Sequence, residues 1–334
     1  MTTRARITGT GMYVPERVVT NKDLEQWMDT SDEWIRQRSG IVERRWIEEG
    51  QQPADLAEAA ARRALEAAEL EPDQIDAIVL ATLSPQADFP GTSFFLQEKL
   101  GGTTPCFDLR AQCSGFLYAL ATARGFVLSG QFPRVLVVGC EVHSTGIDVS
   151  TEGRDVAVLF GDGAGAVVVE ANGDPEDRAE ILSVKLHAEG RYADKLWLEA
   201  PGSGFWPTRL RPDLIERKAH FPRMEGRFVF KHAVTRMPQV LRETLDAAGV
   251  KQDDVDLFLF HQANLRINEF VAHAMEIPGH KLRHNIQRYG NCSAASIPIL
   301  LDESRREGVL EPGRLVAMTA FGSGFSWASA LVRW

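Results

Sequence analysis

Short apolar runs, separated by longer stretches with a helical period, make up most of the chain. A continuous apolar run of about four to eight residues predicts a buried strand. Such runs occupy positions 75–82, 134–139 and 255–260. Between them lie periodic stretches such as the Ala-rich run 53–70, with Leu56, Ala60 and Ala64 on one face, which predict amphipathic helices. This alternation favours an α/β fold in which helices cover both faces of the sheets.

One succession of helix, acidic turn and buried strand occurs twice. The segment 65–80 ends a helix, passes through Pro-Asp-Gln-Ile-Asp and enters an apolar strand. The segment 245–260 repeats this order 180 positions later. An internal repeat of this kind predicts a fold built from similar units. We therefore expect two similar α/β halves, residues 1–172 and 173–334, with a site where they meet.

The most apolar helix predicted in the chain follows a cysteine. Residues 116–128 are apolar on almost every side and end at Gly130, a pattern typical of a helix buried in the core. Cys113 and a Ser-Gly pair come directly before it. At the first turn of a helix, unpaired N–H groups and the positive dipole end favour a thiolate. Cysteine also serves simply as a small buried residue, so this stretch alone leaves both roles open.

Composition and charge narrow the possible functions. With 334 residues, 44% of them hydrophobic and 25% charged, the chain has the composition of a globular protein with one large domain or two of ordinary size. Its net charge of −9 disfavours nonspecific nucleic-acid binding. No apolar stretch approaches the roughly 18 residues of a membrane span, and the first residues do not resemble a signal peptide.

The four cysteines (106, 113, 140 and 292) have no CxxC spacing. This argues against a structural zinc site or a disulfide framework. We therefore expect no bound metal and a reducing, cytoplasmic location.

Residues 197–227 form the least regular part of the chain. Within 205–227, six basic residues outnumber three acidic ones. Long loops inside compact chains are usually functional or mobile. Two interpretations stay open, a lid or pocket wall and a solvated surface excursion.

Three further features can supply partners for the cysteine. His261 follows a predicted strand, Asn291 lies in a tight turn before an apolar helix, and residues 322–324 form a Gly-Ser-Gly tip. Such a tip can direct backbone N–H groups toward a developing oxyanion. Each feature also has a purely structural interpretation, since histidine at a strand end is often structural and asparagine favours turns and helix caps.

Cysteine, histidine and asparagine together permit two chemistries. One is hydrolysis through a thioacyl enzyme, as in papain-like proteases, and the other is carbon–carbon bond formation on a cysteine-bound acyl group. The local Cys-Gly-Ser-Cys-Trp pattern of the first is absent. The duplicated α/β pattern does not suit the papain-like fold either.

Six motifs, in order along the chain, carry a specific resemblance. They are Thr30-Ser-Asp-Glu-Trp-Ile, Cys113-Ser-Gly-Phe, Gly161-Asp-Gly-Ala-Gly-Ala, His261-Gln-Ala-Asn-Leu-Arg, Gly290-Asn-Cys-Ser-Ala-Ala-Ser and Phe321-Gly-Ser-Gly-Phe. With them the chain resembles the β-ketoacyl-[acyl-carrier-protein] synthase III family over nearly its whole length. The resemblance implies the thiolase fold, two α/β halves in a five-layer αβαβα arrangement, and usually a homodimer.

The resemblance also implies the reaction. Cys113 would take the acyl group from an acyl-CoA substrate, and His261 and Asn291 would donate hydrogen bonds to the thioester carbonyl of malonyl-acyl carrier protein. Loss of CO₂ would give a carbanion that attacks the acyl group, with the oxyanion held by backbone N–H groups of Cys113 and Ser323. For this role His261 should be neutral, which burial favours. No permanently bound cofactor is implied.

Binding residues follow from the same resemblance. Those implied for CoA are Trp34, Arg38, Arg154 and Asn264. Those implied for the carrier protein are Gln262, Ala263, Asn264, Leu265 and Arg266. Those implied for the acyl pocket are Gln112, Phe321 and, from across a dimer interface, Phe89.

Several departures from the family pattern affect the substrate rather than the chemistry. Gln112 stands where a small residue is usual, Cys292 where threonine is usual, and Ser323 replaces a glycine. Backbone N–H donation survives all three. The stretch 197–227 is longer and more aromatic than is usual for the family, so an acetyl starter is not implied.

Two other functions stay open. The same fold and nucleophile also serve acyl transfer to oxygen or nitrogen, or the joining of two acyl chains in pyrone- or quinolone-forming relatives. The presence of both His261 and Asn291 favours decarboxylation, because transfer alone requires little stabilisation of an enolate. A non-catalytic partner subunit is the third hypothesis, and the intact Cys–His–Asn set counts against it.

Overall fold

The computed structural model describes residues 3–171 and 179–334. The strands in these ranges are β1 (Ala5–Tyr13), β2 (Val18–Thr20), β3 (Glu43–Arg45), β4 (Ala77–Ala81), β5 (Cys106–Leu109), β6 (Arg134–Glu141), β7 (Gly163–Ala171), β8 (Ala179–Ala188), β9 (Leu196–Trp197), β10 (Arg223–Met224), β11 (Leu257–Phe260), β12 (Leu315–Gly322) and β13 (Ser326–Arg333). The α-helices are α1 (Asn21–Leu24), α2 (Asp32–Ser39), α3 (Pro53–Ala68), α4 (Thr92–Leu100), α5 (Gly115–Ser129), α6 (Arg154–Ala157), α7 (Pro212–Glu216), α8 (Gly226–Ala248), α9 (Leu265–Ala274), α10 (Ile286–Tyr289) and α11 (Ser296–Arg306). Short 3-10 turns occur at Pro72–Gln74, Gln112–Ser114, Gly190–Lys195, Gln252–Asp254, Gly279–Lys281 and Ser293–Ala295.

Nine strands form one hydrogen-bonded sheet in the order β11-β12-β13-β8-β1-β7-β6-β4-β5. Strands β4, β5 and β6 run parallel, as do β11 and β12, whereas β1, β7, β8 and β13 pair antiparallel with their neighbours. Strand β1 joins two parts of the sheet: a first part made of β7, β6, β4 and β5, and a second part made of β8, β13, β12 and β11. Arg6 of β1 pairs with Glu170 of β7 on one side and with Glu180 of β8 on the other.

Three hydrophobic clusters arrange these elements in five layers. Helices α3 and α4 pack on β4, β6 and β7 from outside, and α8 and α9 pack on β11, β12 and β13 from the opposite outside face. Helices α5 and α11 lie between the two parts of the sheet, and their cluster includes Val137 of β6 as well as Met318 of β12. The five-layer arrangement expected from the sequence is therefore present.

The repeat predicted from the sequence is confirmed by the elements. Helix α3, the turn Pro72–Gln74 and strand β4 are matched by α8, the turn Gln252–Asp254 and strand β11. Helix α3 starts with proline in its first turn and buries Leu56, Ala60 and Ala64 as predicted. The predicted boundary between halves, at residues 172 and 173, lies outside the described residues.

The stretch 197–227 is tied to the rest of the protein by charged side chains. Strands β9 and β10 pair at its two ends, and Ala200, Leu214 and Ala219 form a small buried cluster within it. Lys218 Nζ donates to Asp148 Oδ2 over 2.9 Å and also pairs with Glu152. This stretch therefore packs against the loop that precedes α6 instead of extending freely into solvent.

A membrane-crossing helix is not found: among residues 3–171 and 179–334, none of the helices combines the length and the apolar character that a span requires.

Candidate active site

The carboxyl ends of the parallel strands point toward one cavity of about 610 Å³. Cys113 follows β5, His261 directly follows β11, and Gly322 ends β12. All three line the cavity together with Asn291 and Phe321. Ligand sites of α/β folds form at the carboxyl ends of strands, and the predicted catalytic set meets at this position.

A sharp turn presents Cys113 at the start of α5. Gln112 adopts a left-handed φ of 45°, which is uncommon for a residue with a side chain and clusters at functional sites. Gly322 is held against the cysteine from the second part of the sheet, because a Cβ there would lie 2.9 Å from the Cys113 nitrogen. The helix beyond ends at Gly130, as predicted. The turn and this glycine fix where the sulfur lies.

Burial dominates the ionisation of Cys113. The residue is 9% exposed, and burial raises the pKa of its thiol to about 11. A hydrogen bond of 3.4 Å from the Ser293 hydroxyl opposes this rise, as do the backbone N–H groups of Cys113 and Ser323. The expected preference for a thiolate is therefore not met in this structure. The two N–H groups that the resemblance implies for the oxyanion, those of Cys113 and Ser323, nevertheless form hydrogen bonds to the sulfur.

This balance predicts how Cys113 reacts with an alkylating reagent. A thiol whose pKa is raised stays protonated at neutral pH, so the alkylation rate should still be rising above pH 9. Mass spectrometry of the intact protein after short pulses of iodoacetamide, from pH 6 to 10, measures the rate. A rate that reaches its plateau below pH 8 would contradict the prediction and show that the helix end outweighs burial.

His261 is held as a neutral imidazole with one nitrogen free. Burial lowers its pKa to about 3. Its Nδ1 lies 2.6 Å from Ser296 Oγ, which also accepts the Gln262 N–H over 3.3 Å. This leaves the Ser296 hydroxyl proton available to Nδ1 and places the imidazole proton on Nε2. Nε2 has no hydrogen-bond partner in the structure, so it is available to donate to a substrate.

Asn291 is fixed through its backbone and through one side of its amide. Its N–H donates to Leu159 O over 2.8 Å, and its carbonyl accepts the Gly161 N–H over 3.1 Å. Its Oδ1 accepts the Ser293 N–H over 2.8 Å. The amide group Nδ2 is left as the donor on the cavity side. His261 and Asn291 thus offer two uncharged donors next to the Cys113 sulfur.

Basic and aromatic side chains surround the mouth of the cavity. The Trp34 ring lies 4.8 Å from the Arg38 guanidinium and 5.1 Å from that of Arg154. Asn264 caps α9 through its Oδ1 and donates from Nδ2 to Arg38 O over 2.9 Å. The four residues predicted for CoA are therefore brought together, although Arg154 does not itself line the cavity.

Of the residues predicted to bind the carrier protein, some lie in the core and others on the surface. Ala263, Asn264 and Arg266 line the cavity mouth, and Arg266 is exposed. Gln262 is fully buried and donates to Phe260 O over 2.7 Å. It is thus unable to contact a docked protein, and its amide serves the local backbone instead. Leu265 packs against Gly40.

Of the three residues predicted for the acyl pocket, Phe321 lines the cavity. Gln112 adjoins the cysteine without lining the cavity, and Phe89 is 81% exposed on the surface of its own chain. A role for Phe89 in the pocket requires a second chain, so it stays a prediction.

Several site residues escaped the sequence analysis. Glu141 ends β6, is fully buried and binds the Ser84 hydroxyl over 2.6 Å and the Ala294 N–H over 3.3 Å, and burial raises its pKa to about 7. The sequence signal that could have identified Glu141 is a charged residue at the end of an otherwise apolar strand. Leu196, Met224 and Val229 form an apolar wall of the cavity. Met224 belongs to the stretch 197–227, for which a pocket wall was one of the two predictions, whereas Leu196 and Val229 lie outside that stretch and are brought to the cavity by the tertiary structure. Among the described residues, no cluster of His, Cys, Asp and Glu is suited to hold a metal ion.

Sequence and structure comparisons agree with this arrangement. Models of one family match residues 107–190, as 3-oxoacyl-[acyl-carrier-protein (ACP)] synthase III, and residues 245–334, as its C terminal part. A β-ketoacyl-[acyl-carrier-protein] synthase III of Alkalilimnicola ehrlichii is 44% identical over 333 residues, covering 99% of each protein.

Solved structures extend the likeness to the whole fold. The crystal structure of 3-oxoacyl-[acyl-carrier-protein] synthase III from Aquifex aeolicus has a TM-score of 0.89 at 44% identity, covering 99% of this chain and 100% of that chain. The Thermus thermophilus enzyme has a TM-score of 0.89 at 39% identity, covering 98% of both chains. The predicted thiolase fold is thereby confirmed.

Proposed function

The chain belongs to the β-ketoacyl-[acyl-carrier-protein] synthase III family, and on that premise we propose the part that each residue plays. The enzyme is an acyltransferase that condenses an acyl group with a malonyl unit and releases CO₂. The assignment of roles rests on one observation. A nucleophilic sulfur, a neutral imidazole Nε2 and an amide Nδ2 face a single cavity.

The first step is acylation of Cys113. Its Sγ attacks the thioester carbon of acyl-CoA, and the backbone N–H groups of Cys113 and Ser323 stabilise the oxyanion. The bond to the CoA sulfur breaks, and the thiol proton of Cys113 leaves with CoA. Because this thiol has a pKa raised to about 11, loss of the proton accompanies the attack and does not precede it.

The second step is decarboxylation of the malonyl thioester. Nε2 of His261 and Nδ2 of Asn291 donate to the thioester carbonyl oxygen, which becomes the enolate oxygen when CO₂ leaves. A neutral His261 suits this role, since an imidazolium would give up its proton and quench the enolate. The enolate carbon then attacks the acyl group on Cys113, and the cysteine sulfur departs as a thiolate and takes up a proton from solvent, which replaces the one that left with CoA.

The basic side chains around the cavity mouth indicate which substrates bind there. We propose that Trp34, Arg38, Arg154 and Asn264 bind the CoA substrate, while Arg266 contacts malonyl-acyl carrier protein. Arg38 and Arg266 form no ion pair with any described carboxylate, so their charge is available to an anionic partner despite the net charge of −9.

A homodimer is proposed to complete the acyl pocket. Strand β5 is the edge of the large sheet, and the exposed aromatic residues Phe89, Phe94 and Phe107 lie on or near it. An exposed edge strand and apolar side chains favour pairing with a second copy. The halves 1–172 and 173–334 would then each supply part of the site.

The four cysteines are free thiols, which supports a cytoplasmic location.

Mass spectrometry of the intact protein tests the whole proposal. Incubation with acyl-CoAs of different chain length should add one acyl group, and later addition of malonyl-acyl carrier protein should release CO₂ and a β-ketoacyl product. Acyl transfer without release of CO₂ would instead favour transfer to oxygen or nitrogen. An unmodified protein with every acyl-CoA would refute the proposal.

Arg266→Glu is expected to weaken docking of the carrier protein. Reversing a charge at the rim of an interface lowers the association rate, so KM for malonyl-acyl carrier protein should rise by about tenfold or more while KM for acyl-CoA changes little. Steady-state kinetics with each substrate varied in turn measure the effect. Arg305→Glu, an exposed position in the last turn of helix α11 that does not line the cavity, is the matched control. Equal rises in both KM values would contradict the assignment.

A further inference from the structure

Arg227 differs from the other basic residues of the stretch 205–227. Arg209, Arg211, Arg217 and Lys218 form ion pairs with carboxylates, and Arg223 donates to a backbone carbonyl. Arg227 has neither an ion pair nor a side-chain hydrogen bond among residues 3–171 and 179–334. It is exposed and lines the proposed active-site cavity. A guanidinium in this position is available to an anionic group of a ligand.

Helix α8 places Arg227 at the mouth of the cavity. Arg227, Phe230, Ala233 and Met237 line the cavity, and their spacing of three or four residues puts them on one face of the helix. Exposure falls along this face, from the exposed Arg227 through the half-buried Phe230 to Ala233 and Met237, each 2% exposed. The cavity therefore deepens along α8, starting at Arg227.

The inner end of this face lies toward the nucleophile. Met237 belongs to the same hydrophobic cluster as Phe321, and the next residue, Gly322, contacts Cys113. Cys113 is itself buried and lines the same cavity. A thioester at Cys113 therefore directs the rest of its carrier along α8 toward Arg227.

The length of the wall formed by α8 matches the arm of the substrate. At a rise of about 1.5 Å per residue, the helix advances about 15 Å from Arg227 to Met237. In an acyl-CoA, about thirteen bonds separate the thioester sulfur from the nearest phosphorus. An extended chain advances about 3.5 Å for every three bonds, so this pantetheine arm also spans about 15 Å. The phosphate nearest the arm is thereby placed at the mouth, beside Arg227.

The charge at the mouth suits a phosphate group. Arg38, Arg227 and Arg266 are exposed and line the cavity, whereas the described residues contribute a single carboxylate to its lining, that of Asp155. The guanidinium fork matches the geometry of phosphate oxygens. The malonyl carboxylate lies at the thioester end of its carrier and does not extend to the mouth.

We propose that Arg227 is a specificity-determining residue that binds the phosphate at the outer end of the pantetheine arm. This rests on the proposed acylation of Cys113 and on the condensation that follows. In acyl-CoA this phosphate is part of the diphosphate, and in acyl carrier protein it joins the arm to the protein. One guanidinium thus serves both substrates, whereas Arg38 is assigned to CoA and Arg266 to the carrier protein.

Truncated acyl donors test the proposal. The acyl chain that acylates the wild type fastest is offered as its CoA, 4′-phosphopantetheine and pantetheine thioester, and mass spectrometry of the intact protein gives the acylation rate at low donor concentration. Arg227→Gln should slow acylation by the first two donors about fivefold to twentyfold, as expected for a charged hydrogen bond. Acylation by the pantetheine thioester should stay within about twofold of the wild type. KM for malonyl-acyl carrier protein should rise by a factor similar to the loss with the first two donors.

Two further variants make the comparison specific. Arg227→Lys keeps the charge without the fork and should lose less than the glutamine variant. Arg242→Gln is the matched control, because Arg242 lies on the same helix, is exposed, has no ion pair with a described carboxylate and does not line the cavity. It should leave all three acylation rates and the KM for the carrier protein unchanged.

Four outcomes would overturn the proposal. An equal loss with all three donors would assign Arg227 to the structure of the helix start, and no loss with any donor would leave it without a ligand. A loss with the CoA thioester alone would assign it to the outer phosphates of CoA. An unchanged KM for the carrier protein would exclude the shared role. Absence of any adduct in the wild type would refute acylation itself and is thereby distinguished from these results.

Discussion

Cys113→Ala should form no acyl adduct and should lose condensation by more than about a thousandfold, because no other group can carry the acyl chain between the two steps. The sulfur is reached by the N–H groups of Cys113 and Ser323, and the methyl group of alanine leaves them without a nucleophile. Mass spectrometry of the protein after incubation with acyl-CoA, together with formation of the β-ketoacyl product from malonyl-acyl carrier protein, measures both steps.

The chain supplies a matched control in Cys140→Ala. Cys140 is also fully buried, but its thiol donates to Pro53 O over 3.1 Å and does not face the cavity. This variant should acylate as the wild type does. An adduct that persists in Cys113→Ala and vanishes in Cys140→Ala would reverse the assignment.

Asn291→Ala should separate the two steps of the reaction. Acylation should remain within about threefold of the wild type, because the donors proposed for its oxyanion, the N–H groups of Cys113 and Ser323, are backbone groups. Condensation should fall by about a hundredfold to a thousandfold, the usual loss when one donor to a developing oxyanion is removed. Stopped-flow measurement of CoA release reports acylation, and CO₂ release reports condensation.

A structural effect of this variant can be recognised. Asn291 Oδ1 also accepts the Ser293 N–H, and Ser293 donates to the Cys113 sulfur. Asn291→Asp keeps this acceptor and replaces the Nδ2 donor by a carboxyl oxygen. It should therefore retain acylation while condensation is lost. An equal loss of both steps in the two variants would assign Asn291 to the architecture of the turn.

Local sequence patterns predicted the elements of this fold because each pattern reflects a local cause. Pro53 in a first turn and the buried face of α3 are readable from the spacing of residues. The apolar helix after Cys113 and its end at Gly130 are readable in the same way. The repeat of segments 65–80 and 245–260 indicated the duplicated architecture before any contact was known.

Properties that depend on contacts distant in sequence could not be predicted. The dipole at a helix end can be predicted from the local sequence. Burial of the Cys113 thiol depends on strands from both parts of the sheet, and its effect on the thiol pKa is larger than that of the helix end. Gln262 belongs to a motif that resembles a docking segment, yet its side chain folds back onto Phe260. The anchoring of Lys218 by Asp148 joins segments 70 positions apart, for which no local pattern exists.

The position of β13 has a consequence for the order of folding. This strand lies between β12 and β8, and β12 ends at Gly322, which touches Cys113. Contacts between residues so distant in sequence form slowly, because a long loop must first be closed. The oxyanion donors are therefore assembled only after residues 315–333 have inserted, so a chain still emerging from the ribosome would contain its nucleophile but could not yet use it.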